Sequence, residues 1–197
     1  DQRVRGYYQA LLDRIAAVPG VEAVGSAKDF PLRGTGELRP LTVPGRAGGD
    51  AEKSVRLAVM HVSADYFRAM GVPLREGRTF TTADREDAPP VWIVNEAFAK
   101  RYFPNESPVG KVVRMGPVAI QIIGVVGDFR QKSLTEPAEP YAYIHYPQNM
   151  RVGMSIAVRT AGDPLRYANA VREAIWSVDR DQTITNVETL SAIVGDN

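Results

Sequence analysis

The chain lacks cysteine entirely, and that absence removes several kinds of chemistry at once. Without a thiol it can form no disulfide, no zinc–thiolate site, no iron–sulfur cluster and no thiol-based active site. An excess of charge of one sign is also lacking, because 24 lysines and arginines face 23 acidic residues for a formal net charge of +1. Nucleic-acid-binding domains usually carry a clear basic excess, so this balance argues against a nucleic-acid partner.

Long apolar runs are missing as well. The most apolar stretch, residues 118–126, contains Gln121 and Gly124 and falls well short of the roughly 20 apolar residues that span a bilayer. No signal-peptide pattern opens the sequence, and its first residue is Asp1, so we expect a mature chain or a piece of a longer protein. With 44% hydrophobic and 24% charged residues, the composition is that of a folded globular chain.

Helical and strand periodicities are both present. Apolar spacings of three and four residues, with start and stop signals, predict helices at 2–18, 63–70, 96–103 and 164–178. Alternating or short apolar runs between glycines and prolines predict strands at 21–29, 38–43, 54–62, 91–94, 111–115, 118–128, 141–146, 155–160 and 183–187. The stretch 74–88 is predicted to be polar and rich in turns. This mixture indicates the α+β class.

The two ends of the chain repeat one local order. At 14–24 and again at 174–187, a helix with an aliphatic end is followed by a turn and a strand. Two copies are too few for a repeat array. They predict instead two related α–β halves that share one sheet, with a differently textured middle segment inserted between them.

Candidates for a catalytic or metal site are few. His61 and His145, which are the only histidines, each stand in a strand pattern among apolar or aromatic neighbours and are predicted to be structural. Asp84, Glu86 and Asp87 could hold a hard cation such as calcium, but a solvated, turn-forming charge run is the commoner cause of such a cluster. The sequence contains no nucleophile elbow, no phosphate-binding P-loop and no zinc-binding HExxH pattern. We therefore predict no catalytic, cofactor-binding or metal-binding residues.

Aromatic residues concentrate in the middle of the chain. A stacking platform for a sugar or a base is one interpretation of this set, and a small core of the middle segment is the other. Helical spacing favours the core. The residues are Tyr66, Phe67, Phe80, Phe98, Tyr102 and Phe103.

Short phrases in a fixed order carry a resemblance to a known family. They are PGVEAV at 19–24, VSADYF at 62–67, LREGRTF at 74–80, VNEAFA at 94–99, PVGK at 108–111, IGVVGD at 123–128, VRT at 158–160 and GDP at 162–164. Each phrase alone is weak, but the ordered series covers nearly the whole chain. In this series the chain resembles the MacB-like periplasmic core domain of MacB/FtsX-type ABC transporter permeases.

This resemblance implies a two-lobed fold. Residues 1–61 and 121–197 would form a porter-like α/β sandwich subdomain from both chain ends, and residues 62–120 an inserted, smaller, Sabre-like α+β subdomain. The domain would lie on the extracytoplasmic face of the bacterial inner membrane as part of an integral membrane protein. It would hold no catalytic residues or cofactors.

The resemblance also implies partners. They are the protein's own transmembrane helices and a cytoplasmic ATP-binding domain, in a transporter that is dimeric when complete, while the excised domain could be monomeric. A periplasmic adaptor is a further candidate partner, and the middle lobe and the glycine loop at 45–49 are candidate contact surfaces. Two alternatives stay open: a freestanding exported ligand-binding module that uses the cleft between the lobes, and an enzyme that uses Asp84 or Glu86 with a metal.

Overall fold

The computed structural model describes residues 2–28, 36–43, 55–129, 137–149 and 153–195. The predicted glycine loop at 45–49 lies outside these ranges. The described helices are α1 (Gln2–Ala16), α2 (Tyr66–Met70), α3 (Glu96–Tyr102), α4 (Ala168–Val178) and α5 (Leu190–Gly195). None of them combines the length and the hydropathy needed to cross a bilayer.

Two of the predicted helix starts are explained by side-chain caps. The Asn95 side chain accepts a hydrogen bond from the Phe98 amide at 3.0 Å and so caps α3. The same oxygen accepts from the Tyr141 amide at 2.8 Å, and the Asn95 amide group donates to the Glu139 carbonyl. Asp163 caps a 3-10 turn at Pro164–Tyr167, and this turn leads into α4.

Within the described ranges, nine strands form one mixed sheet. They are β1 (Val21–Ala27), β2 (Glu37–Leu41), β3 (Val55–Val62), β4 (Leu74–Gly77), β5 (Val91–Asn95), β6 (Val112–Met115), β7 (Val118–Val126), β8 (Tyr141–His145) and β9 (Ser155–Thr160). The order across the sheet is β4-β7-β5-β8-β3-β1-β9, while β2 pairs with β3 and β6 forms a hairpin with β7. The pairs β3–β8 and β5–β7 are parallel, and the other pairs are antiparallel.

Period-two alternation divides the core between the two faces of the sheet. On β3, Met60 faces one cluster that includes α2, and Val59 faces another that includes α3. At β7 the register shifts by one residue beside Gly124, which changes the face that the following side chains occupy. A third cluster joins α1 and α4 to the outer surfaces of β1 and β9.

The middle aromatics belong to the core, as predicted, but not to a single cluster. Phe67 and Phe80 pack on the α2 side of the sheet, whereas Phe98 and Phe103 pack on the α3 side. All four are buried, so they present no exposed stacking surface. The alternation of the strands between these residues explains the separation.

Two predictions of secondary structure were wrong. The stretch 74–88 contains β4, a four-residue strand with exposed side chains that pairs with β7. Residues 183–187, predicted as a strand, pair with no described strand. The division into 1–61 with 121–197 and 62–120 stays a prediction. Strands from both ranges share the sheet, because β5 lies between β7 and β8.

Candidate functional site

Asp84 organises the loop of residues 78–90. Its side chain is only 6% exposed, and its two carboxylate oxygens accept hydrogen bonds from the Arg78 guanidinium at 2.7 and 2.8 Å. The Thr81 amide donates to the same carboxylate at 2.8 Å, and the Thr81 hydroxyl lies 3.2 Å away. The hydrogen bonds from Arg78 hold the pKa of Asp84 below its ordinary value, and Asp84 in turn raises the pKa of Arg78.

The other two carboxylates of the predicted cluster turn elsewhere. Glu86 forms an ion pair with Arg5 of α1, and Asp87 forms one with Arg85. Each of the three carboxylates is therefore matched by its own arginine. Within the described ranges, no three histidine or carboxylate side chains come together as a metal site would require.

His145 attaches the 78–90 loop to the sheet. Its Nδ1 lies 2.8 Å from the Asp84 carbonyl oxygen. Because a carbonyl oxygen can only accept, Nδ1 carries the hydrogen and donates this hydrogen bond. The ring stacks on Phe80 with the centroids 4.7 Å apart and the planes 9° from parallel. Burial lowers the pKa of His145, which keeps the imidazole neutral near pH 7. The structure thus places His145 in a structural role.

Gln148 closes the other end of the same loop. Its side-chain oxygen accepts from the Val91 amide at 3.1 Å, which fixes the point where the loop enters β5. Its side-chain nitrogen is directed at three loop carbonyl oxygens, those of Arg85 (3.3 Å), Ala88 (3.5 Å) and Pro89 (3.0 Å). The loop is therefore held as a rigid unit on the 3-10 turn that follows β8.

Helix α1 contacts both the 78–90 loop and the 3-10 turn that holds it. We call this contact the α1 junction, and it consists of Arg5 and Tyr8 of α1 together with Glu86 and Tyr146. Arg5 pairs with Glu86, and the Tyr8 ring meets Tyr146 edge to face with a centroid distance of 5.4 Å. The Tyr8 hydroxyl accepts a hydrogen bond from the Gly153 amide at 3.3 Å. Burial, and then the neighbouring Tyr8, raise the pKa of Tyr146 to about 12. The junction joins the first helix to residues 80 to 140 positions away.

Two further contacts tie the chain ends to the rest of the molecule. The Tyr7 hydroxyl donates to the Gln182 side chain at 2.6 Å, so α1 also holds the segment that follows α4. Arg159 of β9 donates to the carbonyl oxygens of Arg68 and Ala69 at 3.2 Å and so binds the last turn of α2. The layer made by α1, α4 and β9 is thus fixed to the middle of the chain at more than one point.

A cleft of about 570 Å³ lies beside β9. One wall is formed by β9 and the other by residues 183–189, which belong to no described helix or strand. Side chains from α1, α2, α4 and α5 close its two sides, and those that face it are mostly apolar. They include Leu11, Met70, Ile156, Val171, Ile184 and Ile193.

Sequence patterns could not find the α1 junction. Arg5 stands on the polar side of a helix pattern, and nothing local distinguishes it from the other arginines of α1. Its partner Glu86 is 81 positions away, and Tyr8 and Tyr146 are farther apart still. The one local signal is the Thr81-to-Asp84 spacing of three residues, which is typical of side chains that bond a nearby backbone amide.

Comparison with known proteins gives consistent matches. A family model described as the MacB-like periplasmic core domain matches residues 3–175. The macrolide export ATP-binding/permease protein MacB of Mannheimia succiniciproducens is 31% identical over 81 residues, which are 41% of this chain but only 13% of that protein. The chain thus matches a small part of its curated relative.

Two solved structures share the fold. The periplasmic region of MacB from Actinobacillus actinomycetemcomitans matches with a TM-score of 0.61 and 20% identity, over 86% of this chain and 73% of that one. The extracellular domain of the ABC-type transporter YknZ from Gram-positive bacteria matches with a TM-score of 0.50 and 19% identity, over 83% and 75%. These matches confirm the predicted family and the α+β class.

Proposed function

The chain belongs to the family of MacB-like periplasmic core domains, and on that premise we propose that it is a non-catalytic extracytoplasmic domain that carries motion. In this proposal, ATP hydrolysis in the cytoplasm moves transmembrane helices of an ABC transporter permease, and the domain transmits the displacement to the outer surface. The observation that carries the proposal is the α1 junction. Through it, the first helix of the chain is directly attached to the middle segment.

A transmitting element has to be stiff, and the contacts of α1 supply stiffness. Leu11 and Ile15 of α1 are buried against α4 and the sheet, with 4% and 0% of their surface exposed. Burying an aliphatic side chain of this size stabilises the fold by about 1.5–3 kcal/mol. A 15-residue helix held in this way is displaced as a unit rather than bent, because interdigitated side chains resist deformation.

In this proposal, the α1 junction is the contact through which a displacement of α1 is passed to the rest of the domain. An exposed ion pair such as Arg5–Glu86 contributes about 0–1 kcal/mol, and an edge-to-face aromatic pair such as Tyr8–Tyr146 about 0.5–1.5 kcal/mol. The Tyr pair is therefore the stronger link. Tyr146 lies in the 3-10 turn Tyr146–Gln148, and Gln148 of this turn holds the 78–90 loop together with His145, so a displacement of α1 reaches both the turn and the loop.

The proposed partners follow from the kind of protein in which the relatives occur. They are membrane-spanning helices of the same polypeptide and an ATP-binding domain, fused or separate, in a dimeric transporter. The location is the extracytoplasmic face of the inner membrane, and a periplasmic adaptor is a candidate for the outer surface. The direction of transport that we propose is export, or mechanical work outside the membrane.

Amide hydrogen exchange on the full-length permease in nanodiscs tests this proposal. We expect that trapping with ATP and vanadate changes the exchange of peptides from α1 and from residues 81–88 together. In a Tyr8→Ala variant, which removes the stronger link, we expect the change in α1 to persist and the change in the loop to fall several-fold. Arg14→Ala, on the exposed side of α1, is the matched control and should behave as the parent does.

The proposal fails if nucleotide leaves both regions unchanged in the parent protein. It also fails if the loop responds equally in the parent and in Tyr8→Ala, because the α1 junction would then not lie on the route of transmission.

A second function, a ligand-binding module, is favoured by one observation, the cleft beside β9. Thermal unfolding of the chain with a panel of lipids, peptides and macrolides tests it. A large, saturable rise of the unfolding temperature with one ligand would support a binding module. No rise with any ligand would leave transmission as the better account.

A further inference from the structure

Three neighbouring strands, β2, β3 and β6, present a connected outward surface that carries both apolar and basic side chains. We propose that this surface, which we name the outer barrel face, is a docking site for an extended, acidic segment of another protein outside the membrane. The proposal rests on the proposed extracytoplasmic location of the domain, and it does not depend on transmission through the α1 junction. The outer barrel face consists of Leu38, Pro40, Thr42, Arg56, Val112 and Arg114.

Six of the nine described strands close into a ring, and this closure defines which side chains point outward. The pairing runs in the order β2–β3–β8–β5–β7–β6. The ring closes where Thr42 of β2 and Arg114 of β6 exchange two backbone hydrogen bonds, at 2.8 and 2.9 Å. Each of the six strands contributes to one core cluster inside the ring, whose members include Leu41, Leu57, Ala142, Trp92, Ile120 and Val113. The residues that alternate with these on β2, β3 and β6 therefore point outward.

Two large aliphatic side chains of the outer barrel face are exposed. Leu38 has 50% of its surface exposed and Val112 has 45%, although the inward-facing residues Leu41 and Val113 on the same strands are completely buried. Pro40 of β2 is exposed as well. Outward positions of a sheet that faces only water are usually polar, so a group of exposed apolar residues at such positions indicates a contact surface.

Two arginines lie on either side of β2 in this face. Arg56 of β3 lies directly opposite Pro40, and Arg114 of β6 lies directly opposite Thr42. Both arginines are exposed, and neither forms an ion pair with a described carboxylate. The outer barrel face therefore carries two positive charges and no negative charge, in a chain whose positive and negative charges nearly balance. Its charge complement is an acidic partner.

The spacing of the two arginines predicts the form of the partner. Arg56 and Arg114 are two strands apart and offset by two residues along β2, which in a sheet places their Cα atoms roughly 12 Å apart. Acidic residues four positions apart in an extended segment span about 13 Å and point to the same side. On an α-helix the same two residues would lie only about 6 Å apart. An extended segment of the form acidic–x–apolar–x–acidic therefore fits, with its central apolar residue over Pro40.

Side chains rather than an added strand would make this contact. Thr42 directs its backbone groups to β6, so the next residue of β2 that faces the same edge is Pro40. Proline has no amide hydrogen, and at an edge it prevents the pairing of a further strand. The partner segment would therefore lie across the outer barrel face and not along the edge of β2.

The chemistry of the outer barrel face favours a protein over other occupants. A surface that binds a bilayer usually combines several basic residues with aromatic ones, whereas this face has two arginines and no aromatic residue. Single-stranded nucleic acid needs aromatic residues on which its bases stack. A second copy of the chain, docked face to face, would place arginines against arginines. An acidic polypeptide matches both the charges and the exposed apolar residues.

Titration of the 197-residue chain with a synthetic peptide, followed by two-dimensional NMR, tests the proposal. The peptide is GSEVLVEGS, which carries two glutamates four positions apart around a leucine. We expect saturable shifts of the amide signals of Leu38, Thr42 and Arg114. A peptide of the same composition with adjacent glutamates, GSVLVEEGS, should bind several-fold more weakly, because its glutamates cannot reach both arginines at once.

Charge reversal provides the matched comparison. Arg56→Glu combined with Arg114→Glu should weaken binding of the first peptide by about ten-fold, since two attractive contacts become repulsive. Arg14→Glu combined with Arg180→Glu changes the net charge equally at two other exposed arginines and should leave binding unchanged. The dispersion of the NMR signals shows whether each variant is folded. If the first variant does not fold, Arg56→Gln combined with Arg114→Gln replaces it, with an expected several-fold loss.

Photo-crosslinking in the full-length permease extends the test to cells. With benzoylphenylalanine in place of Leu38, we expect labelling of a protein at an extended segment that carries two acidic residues about four positions apart. The labelling should be lost when Arg56→Glu and Arg114→Glu are added. Labelling of a segment without paired acidic residues would contradict the proposal.

Three further results would overturn the proposal. The first is equal binding of the two peptides, or binding that survives the charge reversal at Arg56 and Arg114. The second is sedimentation of the chain with vesicles of phosphatidylethanolamine and phosphatidylglycerol that is lost on the same reversal, which would assign the face to lipid. The third is self-association that is lost on the same reversal, which would assign it to a second copy. None of these measurements involves ATP, so a failure here is distinguishable from a failure of the proposed transmission.

Discussion

Replacing Asp84 by asparagine removes a negative charge from the centre of the 78–90 loop while nearly preserving the shape of the side chain. In the native protein this carboxylate accepts two hydrogen bonds from Arg78 and two from Thr81. An asparagine oxygen can replace one oxygen, but its NH2 group would face the guanidinium donors. We therefore expect Asp84→Asn to lose at least one charge-assisted hydrogen bond and to leave Arg78 without its counter-ion.

The size of the effect depends on how well Arg78 is rehydrated. A hydrogen bond to a charged group contributes about 1.5–3 kcal/mol, and truncating a fully buried ion pair costs more. The Arg78 side chain is 48% exposed and can regain water, so the lower part of that range applies. We expect the free energy of unfolding to fall by about 2 kcal/mol at pH 7.

The lowered pKa of Asp84 determines how the stability difference between the parent and Asp84→Asn varies with pH. Asp84 has a pKa below its ordinary value of 3.8 in the folded protein, so its contribution is complete above pH 3.8 and is lost as the pH falls through the folded pKa. The gap between the parent and Asp84→Asn should therefore close below pH 3.8. Burial lowers the pKa of His145, which costs both proteins stability below about pH 6.5, so the difference between them is the quantity to measure.

Urea unfolding, followed by the fluorescence of the buried Trp92, measures this difference. Asp87→Asn is the matched control, because Asp87 forms an exposed pair with Arg85 in the same loop, and its unfolding midpoint should equal that of the parent. Equal destabilisation by the two substitutions, or a gap that is the same at pH 7 and pH 3, would refute the reasoning.

Three further substitutions test the packing around the sheet. Gly77→Ala should lower the melting temperature far more than Gly110→Ala: both glycines have positive φ, which costs about 1–2 kcal/mol for alanine, but only at Gly77 would the new Cβ lie 2.2 Å from the Ile123 carbonyl oxygen. Equal shifts would contradict this account. Asn95→Ala, which removes the cap of α3 and the link to β8, should cost about 2–4 kcal/mol in urea unfolding, and a loss below 1 kcal/mol would contradict it. Ile15→Ala, at 0% exposure, should cost about 2–5 kcal/mol, and an unchanged unfolding midpoint would show that α1 is not packed as described.

Local patterns predicted most of the elements, because local physics decides them. The helix at Gln2–Ala16 follows from apolar residues spaced along one face, and α3 from the capping side chain of Asn95. By contrast, β4 has four exposed residues and no alternation, and it forms only because its backbone pairs with β7. Such a strand has no signal in its own side chains.

The stretch 183–187 is the opposite case: its composition is typical of a strand, but it pairs with no described strand. A strand is a property of a pair, so composition alone cannot ensure it. The α1 junction likewise depends on tertiary proximity between residues about 80 to 140 positions apart, which one sequence does not display. Asp84 was visible as part of an acidic cluster, but its role rests on Arg78, six residues earlier.

Energy transfer from the 78–90 loop to the bilayer tests the central claim most directly. A dye on Asp87→Cys, the only cysteine in this domain, would be paired with acceptor lipids in nanodiscs that hold the full-length permease. If the domain transmits motion through the α1 junction, the transfer efficiency changes when ATP and vanadate trap the transporter, and in Tyr8→Ala this change is several-fold smaller. An efficiency that is identical with and without trapped nucleotide in the parent protein would contradict the account.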